Sequence, residues 1–199
     1  MVPRLILITR DQAPDARFWE TVEAALAGGV EAVLLRMPSL GDAELLAAAS
    51  RARMLTRRYR AQLFVRARFD IAEAVEADGV HLPASLAVRL AAQGWRAQPG
   101  RMLSAAAHNA EELAAANRLR CAFALLSPVF PTRTHPKAKP LGVEGFRRLA
   151  TRAGVPVVAL GGITPANRRL LAGFPVAVVS AIFDAEDPKR AAEDLRCMS

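Results

Sequence analysis

A (βα)₈ TIM barrel of the α/β class, built as one domain over residues 1–199, is the fold this sequence predicts. Three observations lead there. Short apolar runs of strand length recur eight times, with helix-like patterns between them. The last two runs end at Gly161-Gly162 and Ser180-Ala181, and such barrels often place a phosphate at the loops after strands seven and eight. The chain is 52% hydrophobic over 199 residues, enough to bury a large core. That length is short for the barrel, and a doubly wound open sheet is the alternative. Eight full repeats favour closure.

The elements follow in order. Residues 5–9 read as the first strand, and a helix over 15–27 carries Phe18, Val22 and Leu26 on one face before Gly28-Gly29 stops it. The second strand, 30–35, ends at Arg36. Asp42 caps a helix running to Tyr59, with Leu45, Leu46, Ala49 and Leu55 inward. The third strand (63–65) ends at Arg66 and precedes a helix over 69–76. The fourth (79–82) precedes a helix over 86–93. The fifth strand is 102–105, after which Asn109 caps a helix over 110–117 and Glu112 stands where a capping box needs it. The sixth strand, 121–126, opens onto one long loop, 127–142, rich in Pro, Thr and Lys; loops of that length are functional or disordered. A helix over 143–153 leads to the seventh strand, 157–160. Thr164 then reads as an N-cap with Pro165 at the first helical position. The eighth strand is 176–179, and Asp187 begins the last helix.

Composition narrows the function classes. The formal charge is +8 and the isoelectric point about 10.8. The cations are nearly all arginines scattered over helix-like segments, Arg168 and Arg169 among them, with glutamates interleaved. That is the pattern of a solvated face, without the basic-aromatic stripe of a nucleic-acid module. No apolar run reaches membrane-span length and nothing at the start resembles a cleavable signal. Cys121 and Cys197 lie far apart with no metal-ligand spacing, Cys121 reading as a small core residue, so a cytoplasmic, reducing compartment is expected.

Residues at the C-terminal strand ends line one mouth of such a barrel. Here they are Thr9, Arg36, Arg66, Arg68, His81, Ala106, His108, the 127–142 loop, Gly161-Gly162 and Ser180-Ala181. The set holds cations and hydroxyls and almost no carboxylates, which suits a phosphate or diphosphate met by guanidinium forks. Rim salt bridges are the plainer use for each arginine, and ordinary βα turns the plainer use for Gly-Gly. Arg36, directly after its strand, has the strongest claim to a ligand. Of the three histidines, His108 before a helix cap reads as structural, and His81 either lines the pocket or pairs with backbone. His135, beside Thr132, Thr134, Lys137 and Lys139, has the chemistry of an acid-base group.

The segments GGVEAVLLR, ADGVHL, SPVFPT with the following Thr134 and Pro136, PLG, PVVALGGITPAN and VAVVSAIF resemble the thiamine phosphate synthase and TenI family over nearly the whole chain. The resemblance implies a (βα)₈ barrel. It also implies either the joining of a hydroxymethylpyrimidine diphosphate to a thiazole phosphate with release of diphosphate and help from Mg²⁺, or isomerisation of the thiazole phosphate. Carried over, Gly161, Gly162, Ser180 and Ala181 match the thiazole-phosphate cradle, Thr132 and Thr134 the diphosphate loop, and Arg36 a phosphate-contacting arginine. The departures are as informative. Leu34 and Pro38 flank Arg36 where the family has Gln and Lys. Arg66-Ala67 replaces an Asn-Asp pair, Leu86 a second metal-binding aspartate, Ala106 a serine and His135 a loop lysine. Pro128 stands at the TenI histidine. Mg²⁺ is thus a candidate cofactor only with its usual ligands replaced by Ala67 and Leu86, and Mg²⁺ needs hard oxygen ligands.

The expectation is a divergent transferase or isomerase of thiamine metabolism that takes a small phosphorylated heterocycle. His135, Arg36 and Arg66 are its catalytic candidates, with Arg66 and Arg68 supplying charge that Mg²⁺ gives elsewhere. Gly161, Gly162, Ser180, Ala181, Thr132 and Thr134 hold phosphate, and His81 and Arg68 complete the pocket; no residue is assigned to a metal. The alternatives are a competent Mg²⁺-dependent synthase using Asp70 or Asp78, and a non-catalytic barrel that senses a phosphorylated metabolite. Neither nucleic acid nor membrane is an expected partner; a homodimer is compatible with the sequence.

Overall fold

Eight parallel strands close on themselves in chain order, β1 pairing with both β2 and β8 in the computed structural model, which describes residues 1–96, 100–132 and 138–196. The strands are β1 (Leu5–Ile8), β2 (Ala32–Leu35), β3 (Gln62–Arg66), β4 (Gly79–Leu82), β5 (Met102–Ala107), β6 (Phe123–Leu126), β7 (Val157–Leu160) and β8 (Val176–Val178). Six helices alternate with the first seven: α1 (Ala16–Ala27), α2 (Asp42–Arg58), α3 (Phe69–Ala74), α4 (Ala84–Ala92), α5 (Ala110–Arg118) and α6 (Gly142–Arg152). A 3₁₀ turn (Arg168–Leu171) stands between β7 and β8, and α7 (Ser180–Phe183) and α8 (Pro188–Arg196) follow.

The alternation of side chains along each strand divides the core in two. Ile6, Ile8, Ala32, Leu34, Phe64, Phe123, Leu125, Val158 and Ala177 fill the barrel, where the Phe64 and Phe123 rings meet edge to face at 5.1 Å. Leu5, Leu7, Val33, Leu35, Leu63, Val65 and their counterparts point outward against the helices. Helices meet that layer with 3.6-residue stripes: α1 buries Phe18, Trp19, Val22, Ala25 and Leu26. Asp15 caps it by accepting the Phe18 amide at 2.8 Å.

Several expectations change at this level. The residue at the cap of α2 is Gly41, whose amide is taken by Glu44 at 3.1 Å; Asp42 is instead the first helical residue, where its charge meets the positive helix end. The buried stripe of α2 is Leu45, Ala48, Ala49, Ala52 and Thr56, which turns Leu46, one position or 100° round from Leu45, to solvent at 41% exposure. Thr164 caps no α-helix. Its amide is donated to Asn167 Oδ1 at 2.9 Å and its carbonyl accepts from Arg168 at 3.0 Å, a turn that feeds the 3₁₀ segment.

Arg168 is the largest departure. It is 2% exposed, and its guanidinium donates to the carbonyls of Leu195, Leu171 and Phe174 at 3.1, 2.9 and 3.1 Å. It belongs to no solvated face: it satisfies the Leu195 carbonyl at the end of α8 and the Phe174 carbonyl, and is a second donor to Leu171, which also accepts the Phe174 amide at 3.0 Å. Burial, and then the charge of Arg4, lower its pKa. Among the described residues no helix is long and apolar enough to cross a membrane.

Candidate functional site

The C-terminal strand ends open into a cavity of about 1270 Å³. Single small-ligand pockets take roughly 300–1,000 Å³, so the space admits more than one ligand. Its floor and one wall come from the ends of β7 and β8, including Leu160, Gly161, Gly162, Ile163, Val179 and Ser180. The adjoining wall comes from β1 and β2, including Thr9, Asp11 and Arg36.

The β7–β8 side is built from backbone. Gly161 and Gly162 both adopt positive φ, 100° and 65°. The space a Cβ would need is filled by the β6–α6 loop: it would fall 2.8 Å from Pro128 Cα at Gly161 and 2.3 Å from the Pro131 carbonyl at Gly162. These glycines therefore admit a neighbouring chain segment as well as a ligand. The turn is pinned on both sides. Phe130 N–H donates to the Gly161 carbonyl at 3.0 Å, and Asn167 Nδ2 to the Gly162 carbonyl at 2.8 Å. With those carbonyls engaged, the amides of Gly161, Gly162, Ser180 and Ala181 donate to no group among the described residues. Ser180 lines the cavity; the Ala181 side chain packs on the outer core, leaving only its amide for the mouth. Thr132 lines the cavity too, and Thr134 and His135 lie outside the described residues.

On the other side, Thr9 is 1% exposed and its Oγ1 accepts the Arg36 amide at 2.8 Å, which fixes where the Arg36 side chain leaves β2. Among the described residues neither the Arg36 nor the Arg66 guanidinium has an ion-pair or hydrogen-bond partner. Burial lowers the Arg66 pKa first and the neighbouring Arg36 second, with Asp11 opposing. Arg36 lines the cavity; Arg66, Arg68 and His81 are not among its lining residues. Arg68 is a rim salt bridge, held by Asp42 at 2.7 Å and Asp70 at 2.6 Å. It supplies no free charge to the mouth.

His81 is buried, and its Nδ1 meets Ser104 Oγ at 2.9 Å, so its partner is a side-chain hydroxyl of β5 and not backbone. Burial first, then Arg66 and Arg36, push its pKa down to about 3. It is neutral at physiological pH and carries no imidazolium proton to give. His108 does line the cavity. Its amide and Nδ1 both go to Glu112 Oε2, at 2.6 and 2.8 Å, so Glu112 completes its capping box one residue early, on His108 in place of Asn109.

Carboxylates reach this mouth after all. Asp11 and Asp184 both line it. Asp184 is paired with Arg10, whose guanidinium lies 5.3 Å from the Phe183 ring centre. Asp11 accepts the Ser39 hydroxyl at 2.7 Å and amide at 3.0 Å. Those bonds, and then Arg36 and Arg66, hold its carboxyl below the usual range. Position was the available signal: Asp11 lies three residues past β1, and Asp184 directly follows α7.

The donor set does not fit Mg²⁺. Ala67 and Leu86 carry no oxygen ligand, and among the described residues no group of three or more His, Cys, Asp or Glu is placed to hold a metal. Asp70 is engaged by Arg68. Asp78 lies before β4, at the other end of the barrel, tied to Arg53 at 2.7 Å and the Leu63 amide at 2.8 Å.

Comparison with known proteins places this mouth in context. A family model described as thiamine monophosphate synthase matches residues 5–183. The chain is 36% identical over 181 residues to the thiamine-phosphate synthase of Pyrococcus furiosus, covering 89% of this chain and 86% of that one. It is 39% identical over 182 residues to the thiamine-phosphate synthase of Archaeoglobus fulgidus, covering 88% and 84%. A solved thiamine phosphate pyrophosphorylase from Pyrococcus furiosus superposes with a TM-score of 0.83 at 32% identity, over 98% of this chain and 94% of that one.

Proposed function

The chain belongs to the thiamine monophosphate synthase family, whose relatives support a role in thiamine metabolism, and from that premise we propose that it is a transferase that holds a phosphorylated thiazole-like heterocycle at the C-terminal mouth of its barrel. One observation carries this reading: on the adjacent ends of β7 and β8, Gly161, Gly162 and Ser180 line a large cavity, and their main-chain amides have no protein acceptor among the described residues. Backbone N–H groups in such a concavity bind the oxygens of an anion directionally. The pinned carbonyls of Gly161 and Gly162 keep them aimed before the ligand arrives, so binding pays little reorganisation.

The reaction read from the family resemblance breaks a methylene C–O bond of a pyrimidine diphosphate and forms a C–N bond to the thiazole nitrogen. The electron pair of the broken bond leaves on diphosphate. The chain's own contribution is to anchor one reactant by its phosphate and present its ring nitrogen to the second within one cavity. Asp70 and Asp78, the carboxylates available to a rearranged metal site, are both occupied by cations or amides, which favours a divergent site over a rearranged one.

Calorimetric titration with thiazole phosphate, together with a coupled turnover assay with and without EDTA, tests the proposal. Saturable binding with turnover supports it. Absence of binding at millimolar ligand refutes it, and binding without turnover makes the barrel a sensor of a phosphorylated metabolite.

A further inference from the structure

Where the family resemblance implies metal ligands, this chain builds a row of a different kind. The register pairs Leu34 with Phe64, both inside the barrel, and Leu35 with Val65, both outside. The next pair, Arg36 and Arg66, therefore shares the inward face. Arg66 is in register with His81, and His81 with Ser104. Four neighbouring strands thus place guanidinium, guanidinium, imidazole and hydroxyl side by side, just above the Phe64 layer.

The charge in this row is not balanced. Both guanidiniums are half-buried and lack a partner among the described residues, and the imidazole, bonded to Ser104, is neutral. Asp11 is an opposing charge that acts on Arg66 while accepting from Ser39, and its single negative charge offsets the two guanidiniums only in part. Arg68, the third cation of the segment, is consumed by Asp42 and Asp70. The Ala67 amide is also spent, on the His81 carbonyl at 2.9 Å. Two like charges held together away from water repel, and a polyanion between them relieves that cost, whereas a divalent cation would add to it. Two planar forks match the oxygens of a diphosphate.

We infer that Arg36 and Arg66 form a diphosphate subsite that works without a divalent cation. The inference rests on the proposed transferase reading for the identity of its anion, the leaving group. As the C–O bond breaks, its electron pair goes to the diphosphate oxygen, and the guanidiniums meet that charge with fixed donors.

Titration with inorganic pyrophosphate tests it. Binding is expected in EDTA, and added MgCl₂ should weaken it by sequestering the ligand. Arg36→Gln and Arg66→Gln should each weaken binding about tenfold or more, the usual scale of a charge-assisted contact. Arg68→Gln should stay within about twofold, as an exposed pair carries little. Arg66→Lys, which keeps the charge and loses the fork, should fall between, and serves if the glutamine variant does not fold. Binding that appears only with Mg²⁺, or equal binding by Arg66→Gln and the parent chain, overturns the inference. Thiazole phosphate is titrated in parallel: its binding without pyrophosphate binding removes this subsite alone, and the reverse removes the cradle alone.

Discussion

Substitution of Gly162 by alanine separates two costs that the cradle geometry combines. Gly162 has φ 65° and Gly173 has φ 84°, so alanine at either position pays the left-handed backbone penalty, about 1 kcal/mol. At Gly173 nothing lies within 4 Å of the new Cβ, and the penalty is the whole effect. At Gly162 the Cβ would also stand 2.3 Å from the Pro131 carbonyl and 2.8 Å from Phe130 Cβ. Backbone must move, and overpacking of that kind adds roughly 1–3 kcal/mol. Gly162→Ala should then lose about 3 kcal/mol in total, against about 1 for Gly173→Ala. At this chain length those losses lower Tm by about 6–12 °C and about 2–4 °C respectively. Thermal unfolding followed by circular dichroism reads both variants in one buffer, and thiazole phosphate binding should fall with Gly162→Ala and not with Gly173→Ala. Equal melting shifts for the two variants would show that the β6–α6 loop does not press on the turn, and steric pressure would not be what requires glycine at this position.

Other outcomes follow from groups away from the cradle. Arg168→Met leaves the Leu195 and Phe174 carbonyls without a donor, Leu171 keeping the Phe174 amide, and should cost about 2 kcal/mol or more in urea unfolding, with Arg168→Lys recovering less than half because one ammonium cannot replace a fork; a loss under about 1 kcal/mol would contradict the assignment. His81 has a folded pKa of about 3 against an ordinary 6.5, so the unfolded chain takes up its proton first as pH falls. Its contribution is complete above pH 6.5 and is lost on acidification towards pH 3, at up to about 1.4 kcal/mol per pH unit. The stability difference between the parent and His81→Gln should narrow across that window; a difference independent of pH would refute the burial argument. Burial pushes the Cys121 thiol up to about 12, so in a Cys197→Ser variant a thiol reagent at pH 8 should react only as fast as the protein opens. Rapid native labelling would show otherwise.

Much of the fold was legible because apolar runs bounded by turn formers leave little choice. The strands at Gly79–Leu82 and Val157–Leu160 have the bounds that the sequence predicts, and Asn109 caps α5 as its spacing implies. The β7–β8 connection was less legible. TPANRRLL has the residues of a polar helix start, but Asn167 ties the Thr164 amide and the Gly162 carbonyl into a turn that runs on as a 3₁₀ segment. The tighter turn sends Arg168 inward, where unsatisfied carbonyls favour a cation over solvent. Arg66 and Arg68 look alike in sequence two positions apart. They differ because one ends a strand and takes its inward alternation, while the other lies in a loop within reach of Asp70 and Asp42. The carboxylates of Asp11 and Asp184 belong to no motif, and their only signal is position, just past β1 and just past α7, where their loops bring them to the mouth.

Closure of the sheet through β1 sets a gauge across the top of the molecule. β1 is hydrogen-bonded to β8 on one side and β2 on the other, and each step between strands is about 4.8 Å. The β8 end of the amide-rich rim and the backbone of Arg36 are therefore held two steps, roughly 10 Å, apart, and the β7 end one step further, on a hoop with no loose end to slide. A hoop of fixed girth discriminates by span: molecules whose two anionic ends are shorter or longer than that chord can engage one side only, and no shift of register is available to rescue them.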